Sequence, residues 1–282
     1  MIRTPPGWGA DLLAHAYHSV TTIDAAHAQP RSGPIRIRTL ELADLRWALA
    51  RGFEDFAASR TDLIFLCLVY PAVGLLLARA ASGYGLLPLV FPLLSGFALI
   101  GPLAAVGLNE MSRRRELGET NSIMDAFAVF RSPAIGGILL LGAVFLGMFL
   151  FWLVLSNVIY NITLGPDVPA SVGQFVHDVL FTRPGHTLIF VGVGVGFLFA
   201  VIALTIGCVS FPMLLDRNCS VETAVRTSIA VTWHNPAPIA AWGLIVAVGL
   251  LLGSIPLLLG LIVVMPVLGH ATWHLYRCAV GQ

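Results

Sequence analysis

The chain has 282 residues, of which 57% are hydrophobic and 11% charged, with a mean hydropathy of +0.86. A soluble domain of this length carries about 25% charged residues, so the composition excludes an ordinary water-soluble globule and points to long apolar runs hidden in lipid. The net charge of +1 supplies no basic field for nucleic acid.

Residues 1–38 carry Pro5, Pro6, Pro30, Gly33 and Pro34 and no sustained period. They are expected to form a mobile cytoplasmic tail, without an apolar signal region, ahead of a membrane domain over 39–282. From Glu41 to Ala58 the apolar residues Leu42, Leu45, Leu49, Phe53 and Phe56 recur every three or four positions, with Arg46, Arg51, Glu54 and Asp55 on other faces. That pattern predicts an amphipathic helix along the cytoplasmic interface.

Six apolar stretches follow, near 63–80, 86–108, 134–160, 186–215, 239–253 and 257–276. A span needs about 20 apolar residues, so the short fifth stretch leaves open a re-entrant hairpin for the last pair. The expected fold is an all-α, polytopic bundle of six transmembrane helices arranged as three hairpins. Arg60, Arg113, Arg114, Arg115, Arg131, Arg217, Arg226 and Arg277 flank one side, whereas Arg79 and Arg183 flank the other. Basic residues stay inside, which puts both termini in the cytoplasm of a bacterial-type inner membrane. Arg113, Arg114, Arg115, Trp273, Tyr276 and Arg277 are the expected membrane-interface anchors, and Trp152 and Tyr84 also lie near span ends.

An amphipathic segment, a polar junction, a span out and a span back recur three times, and each return span carries a proline: Pro102, Pro212 and Pro266. In the loop from Asn161 to Gly185, Ser171 and Gln174 form a capping box ahead of Val172, Phe175, Val176, Val179 and Leu180. This predicts an interfacial helix on the outer surface.

Few residues in the spans carry chemistry, since their middles lack Asp, Glu, Arg and Lys. This argues against an ion-coupled pump or a voltage sensor. His270 and His274 share a helix face at i and i+4, a spacing that suits two ligands of a metal or haem iron. Their place at the end of a span equally fits interfacial histidines, and His234 and Cys278 could complete a site only through folding. Asp11, His15 and His18 make a second, weaker cluster. Four scattered cysteines, Cys67, Cys208, Cys219 and Cys278, show no metal-ligand spacing. No G-x-S-x-G motif, and no local grouping of Ser, His and Asp, points to nucleophilic catalysis. Gly192 with Gly196 and Gly249 with Gly253 form small-residue faces for close helix approach, either within the bundle or onto another membrane subunit.

Several stretches resemble a bacterial family of predicted integral membrane proteins of unknown function. They are Leu108-Asn109-Glu110-Met111-Ser112-Arg113-Arg114-Arg115-Glu116, Phe211-Pro212-Met213-Leu214-Leu215-Asp216-Arg217, Ala224-Val225-Arg226-Thr227-Ser228, Asn235-Pro236 with Trp242-Gly243, and Pro266 through Arg277. The resemblance runs from about Ile35 to Arg277. Members are sometimes labelled cytochrome c oxidase subunits, and the resemblance extends to an accessory subunit rather than a metal-bearing catalytic one. It implies a shared structural or docking role for Gly269-His270-Ala271-Thr272-Trp273-His274. The expected function is therefore a non-catalytic accessory or assembly subunit of an inner-membrane complex, with lipids and other membrane subunits as partners. A small transporter or lipid-handling protein, and a haem- or metal-binding protein using His270 and His274, remain alternatives. No cofactor is assigned.

Overall fold

The computed structural model describes residues 34–67, 72, 75, 76, 79, 87–119, 126–167, 169–256 and 258–281. Residues 1–33 of the expected tail, including Asp11, His15 and His18, lie outside them, as does half of the first expected span. Residues 34–38, expected to belong to the mobile tail, are instead held by the strand pairing described below.

Strand β1 (Arg36–Ile37) leads into α1 (Leu42–Cys67). Here the expected interfacial helix and the beginning of the first span are one continuous helix. Its orientation departs from the periodicity argument. Leu45, Ala48, Gly52, Asp55 and Phe56 face inward, while Leu42 and Phe53 are exposed. The reason is a close helix crossing. A Cβ placed on Gly52 would lie 2.7 Å from both Ala271 Cβ and the Val267 carbonyl oxygen, so only glycine allows the two backbones to meet.

The second expected span is divided. A 3-10 turn at Leu87–Leu89 precedes α2 (Val90–Leu99), α3 (Gly101–Ala104) and α4 (Val106–Glu116). Pro102 stands in the first turn of α3, where its missing N–H and fixed φ favour a helix start. Leu103 N bonds back to Ile100 O at 3.0 Å, a tightened turn that separates α2 from α3.

A second 3-10 turn, Phe127–Arg131, leads to α5 (Ile135–Thr163). Next come α6 (Val172–Phe181), α7 (Arg183–Arg217), α8 (Val221–His234), α9 (Pro236–Ser254), α10 (Leu261–Ala279) and β2 (Val280–Gly281). Three described helices, α5, α7 and α9, are long and apolar enough to cross a membrane. They contain the third, fourth and fifth expected spans. α10 spends its second half on His270, Thr272, His274 and Arg277 and is largely enclosed by protein there. As the S-x-x-Q pattern predicts, Ser171 caps α6, with Gln174 N donating to its Oγ at 3.1 Å.

α7 packs against α5 through Phe145 and Phe211, whose rings meet edge-on at 5.3 Å. Trp152, expected at an interface, is instead 3% exposed. Its Nε1 donates to Pro92 O at 3.0 Å, and its ring fills the space above Gly196. α8 folds back on α7, and the Ser228 hydroxyl enters the helix ladder. It donates to Thr205 O at 2.7 Å and accepts from Val209 N at 3.3 Å. These contacts lie one turn before Pro212, which removes a backbone donor from the same helix. Finally β1 and β2 pair antiparallel, Arg36 opposite Gly281 and Ile37 opposite Val280.

Candidate functional site: a buried carboxylate shared by three helices

Three elements far apart in sequence converge at the end of the bundle where α7 finishes and α5 and α9 begin. α1 contributes Asp55, α4 contributes Ser112 and Arg115, and α10 contributes His270 and His274. The side chain of Asp55 is only 5% exposed, and its carboxylate accepts three bonds. Ser112 Oγ donates at 2.6 Å and His274 Nε2 at 2.8 Å, both to Oδ2, and Arg115 donates at 2.9 Å to Oδ1. Since the Ser112 proton is committed to Asp55, its oxygen must accept from His270 Nδ1, 2.8 Å away. This assignment fixes the His270 tautomer from the network. Trp47 closes the site from α1, its ring edge-on to His274 at 5.6 Å.

Burial acts to raise the Asp55 carboxyl pKa, but the bonds from His274 and Ser112 and the field of both imidazoles outweigh it. The group is held below the usual aspartate value of 3.8. Two buried polar atoms, Asn109 Oδ1 and His270 Nε2, have no hydrogen-bond partner among the described residues.

A second ring of polar pairs surrounds this centre. Glu110, buried on α4, receives Arg113 at 2.7 and 2.9 Å and Arg114 at 2.8 Å. Glu116 accepts from Trp273 Nε1 at 2.9 Å and from Arg277 at 2.8 Å. Tyr276 donates to Asp216 at 2.7 Å, and Arg217 donates to Gly281 O at 2.8 Å. Asn235 ties in the N-terminal segment, donating to Arg38 O at 3.1 Å and accepting from Leu40 N at 2.7 Å.

Several residues singled out from the sequence therefore stand differently from expectation. Trp273 and Tyr276 are each 1% exposed. Their polar tips reach acids of the same chain, which leaves almost no ring surface for headgroups. Arg113, Arg114 and Arg115 are all engaged in ion pairs with Glu110 or Asp55. Arg277 is shared between Glu116 and Asp216. The glycine faces separate. Gly249 and Gly253 pack on α10, with Leu261 Cδ2 2.9 Å from a Cβ built on Gly253, while Gly192 faces open space and Gly196 faces Trp152.

The histidines do meet an acid, Asp55, which lies 219 residues from His274 and so is invisible to local spacing. Metal chemistry is not favoured. No group of three or more His, Cys, Asp or Glu able to hold a metal ion occurs among the described residues. The donor atoms instead sit at 2.6–2.8 Å from one another, bonded directly. Nor is this a nucleophilic triad. Ser112 gives its proton to the acid itself, whereas activation needs an imidazole between hydroxyl and carboxylate. At 1% exposure Ser112 also has no route to a substrate.

The apolar helices and this protein-locked polar end belong to a membrane protein, and one comparison agrees. Residues 90–216 match the family model described as predicted integral membrane protein (DUF2189). No curated protein and no solved structure matches the chain. The matched segment runs from α2 almost to the end of α7. It contains Glu110, Ser112 and the three arginines of α4, and stops short of His270 and His274.

Proposed function

We propose that the chain is a non-catalytic accessory or assembly subunit of an inner-membrane complex, with a respiratory oxidase the first candidate. In this reading it crosses the membrane six times as three hairpins and keeps both ends in the cytoplasm. The observation that carries the proposal is the closure of the polar site. Asp55 and Glu110, the buried acids, are each neutralised by arginines of the same chain, and Asp55 is further saturated by Ser112 and His274. A carboxylate so occupied locks three helices together and offers nothing to a reactant. Such a locked end is what a scaffold needs to hold a docking face rigid.

The test is purification of the full chain from native membranes in mild detergent, with mass spectrometry of co-purifying proteins. Migration well above the 30.1 kDa chain, together with subunits of one complex, is the expected result. A monomer with no stoichiometric partner, in a deletion strain whose respiration and complex assembly are unchanged, overturns the proposal.

A further inference from the structure

The fold encloses the Trp273 and Tyr276 rings that the sequence places at an interface, whereas other aromatic side chains stand exposed. Two exposed aromatic groups stand out at the same end of the bundle. α5 and α9 run in the same direction because α7 returns between them, so their N-termini share one end. Just before α5, the 3-10 turn Phe127–Arg131 presents Phe127 and Phe130 at 47% and 67% exposure. Their rings lie nearly parallel, with centroids 6.4 Å apart. Arg131 follows them, exposed and paired with no acid among the described residues. Just before α9, Trp233 is 79% exposed.

Both groups are held rigidly from behind. Ala126 and Val129 turn inward, and Ala126 backs onto Gly107, where a Cβ would come within 3.1 Å of its carbonyl oxygen. Trp233 precedes Asn235, which is 2% exposed and fixed by the Arg38, Leu40 and Val231 backbones. Rigid aromatics lose little entropy when they dock. Each group continues directly into the apolar surface of a candidate span, so what covers that surface also covers the aromatics. The amphipathic Trp233 indole settles at headgroup depth, and the phenyl rings of Phe127 and Phe130 add apolar surface beside it. Arg131, with no acid partner among the described residues, supplies the complement to a phosphate.

We propose that Phe127, Phe130 and Arg131, together with Trp233, form an anchor that binds anionic phospholipid headgroups at this end of the protein. Native mass spectrometry of the full, delipidated chain titrated with phosphatidylglycerol or phosphatidylcholine tests it. The wild type is expected to prefer phosphatidylglycerol. Arg131→Ala weakens that binding about fivefold while leaving phosphatidylcholine unchanged, and Arg131→Lys restores it. In brominated-lipid vesicles, the emission difference between wild type and Trp233→Phe is expected to be quenched. Equal affinity of the wild type for the two lipids, an unchanged affinity in Arg131→Ala, or an unquenched Trp233 overturns the assignment. Cross-links placing another protein over Phe127 and Phe130 would overturn it as well.

Discussion

Replacing Asp55 with asparagine tests the central lock most directly. The substitution keeps the volume of the side chain and removes its charge. Three donors now share the carboxylate, from Ser112 at 2.6 Å, His274 at 2.8 Å and Arg115 at 2.9 Å. Asparagine can place its one acceptor oxygen where Oδ2 serves Ser112 and His274, which turns its NH2 group toward Arg115. One charge-assisted bond is then lost and two more lose the charge on their acceptor. At about 1.5–3 kcal/mol for the lost bond and about 1 kcal/mol for each weakened one, the cost is ~3–5 kcal/mol. Breaking a buried pair from one side costs about the same. With a shift of about 2–4 °C per kcal/mol, the Tm of the detergent-solubilised chain should fall by at least roughly 6 °C. Glu54→Gln is the control. Its partner Arg51 sits on the same helix, and the two side chains are 52% and 46% exposed. Loss of such a surface pair costs about 0–1 kcal/mol. The pH dependence has a definite sign. Because the folded Asp55 pKa lies below 3.8, its stabilisation is fully present above that value and is lost as the pH falls through the depressed pKa. Asp55→Asn should therefore flatten the acid limb of the melting curve. A variant that melts within about 2 °C of wild type would refute the account of the lock.

Two further outcomes follow from the packing and the charge distribution. Gly192→Ala should be neutral or slightly stabilising in thermal melts, because nothing lies within 4 Å of the added Cβ and alanine is favoured by about 0.8–1 kcal/mol within a helix. Gly253→Val should lower Tm, since its Cβ already meets Leu261 at 2.9 Å and overpacking costs about 1–3 kcal/mol. Equal effects at the two sites would contradict the difference in their surroundings. Reporter fusions in the α6 region near Gln174 should report the outer side and fusions at Asn218 the cytoplasm, with the reverse pattern overturning the orientation.

The third to fifth spans were legible because an apolar run of span length has one physical solution in a bilayer, and α5, α7 and α9 occupy those runs. The lock was not legible. Periodicity groups Leu42 with Leu45, Leu49 and Phe53 and sets Asp55 on the polar side. The true inward stripe is Leu45, Ala48, Gly52 and Asp55, whose small residues permit contact with Ala271. That run of small residues at helical spacing was the available signal, but naming the partner required the tertiary fold. Trp273 and Tyr276 misled for a related reason. An amphipathic ring near a span end suits an interface, unless the protein supplies the polar acceptor, as Glu116 and Asp216 do. By apolar length Pro102 falls inside one expected span, whereas it begins a new short helix.

The closing of the chain upon itself has a consequence for its birth. α1 is synthesised early, yet the helix that receives Asp55 lies 219 residues downstream. At about 5–20 residues per second, translation leaves that carboxylate waiting roughly 10 to 45 s for its imidazole. Ser112 and Arg115 lie only 57 and 60 residues downstream and reach the acid sooner, but the glycine groove stays bare until α10 arrives. A chain cut short before α10 would have its apolar helices inserted while its first helix lacked that partner.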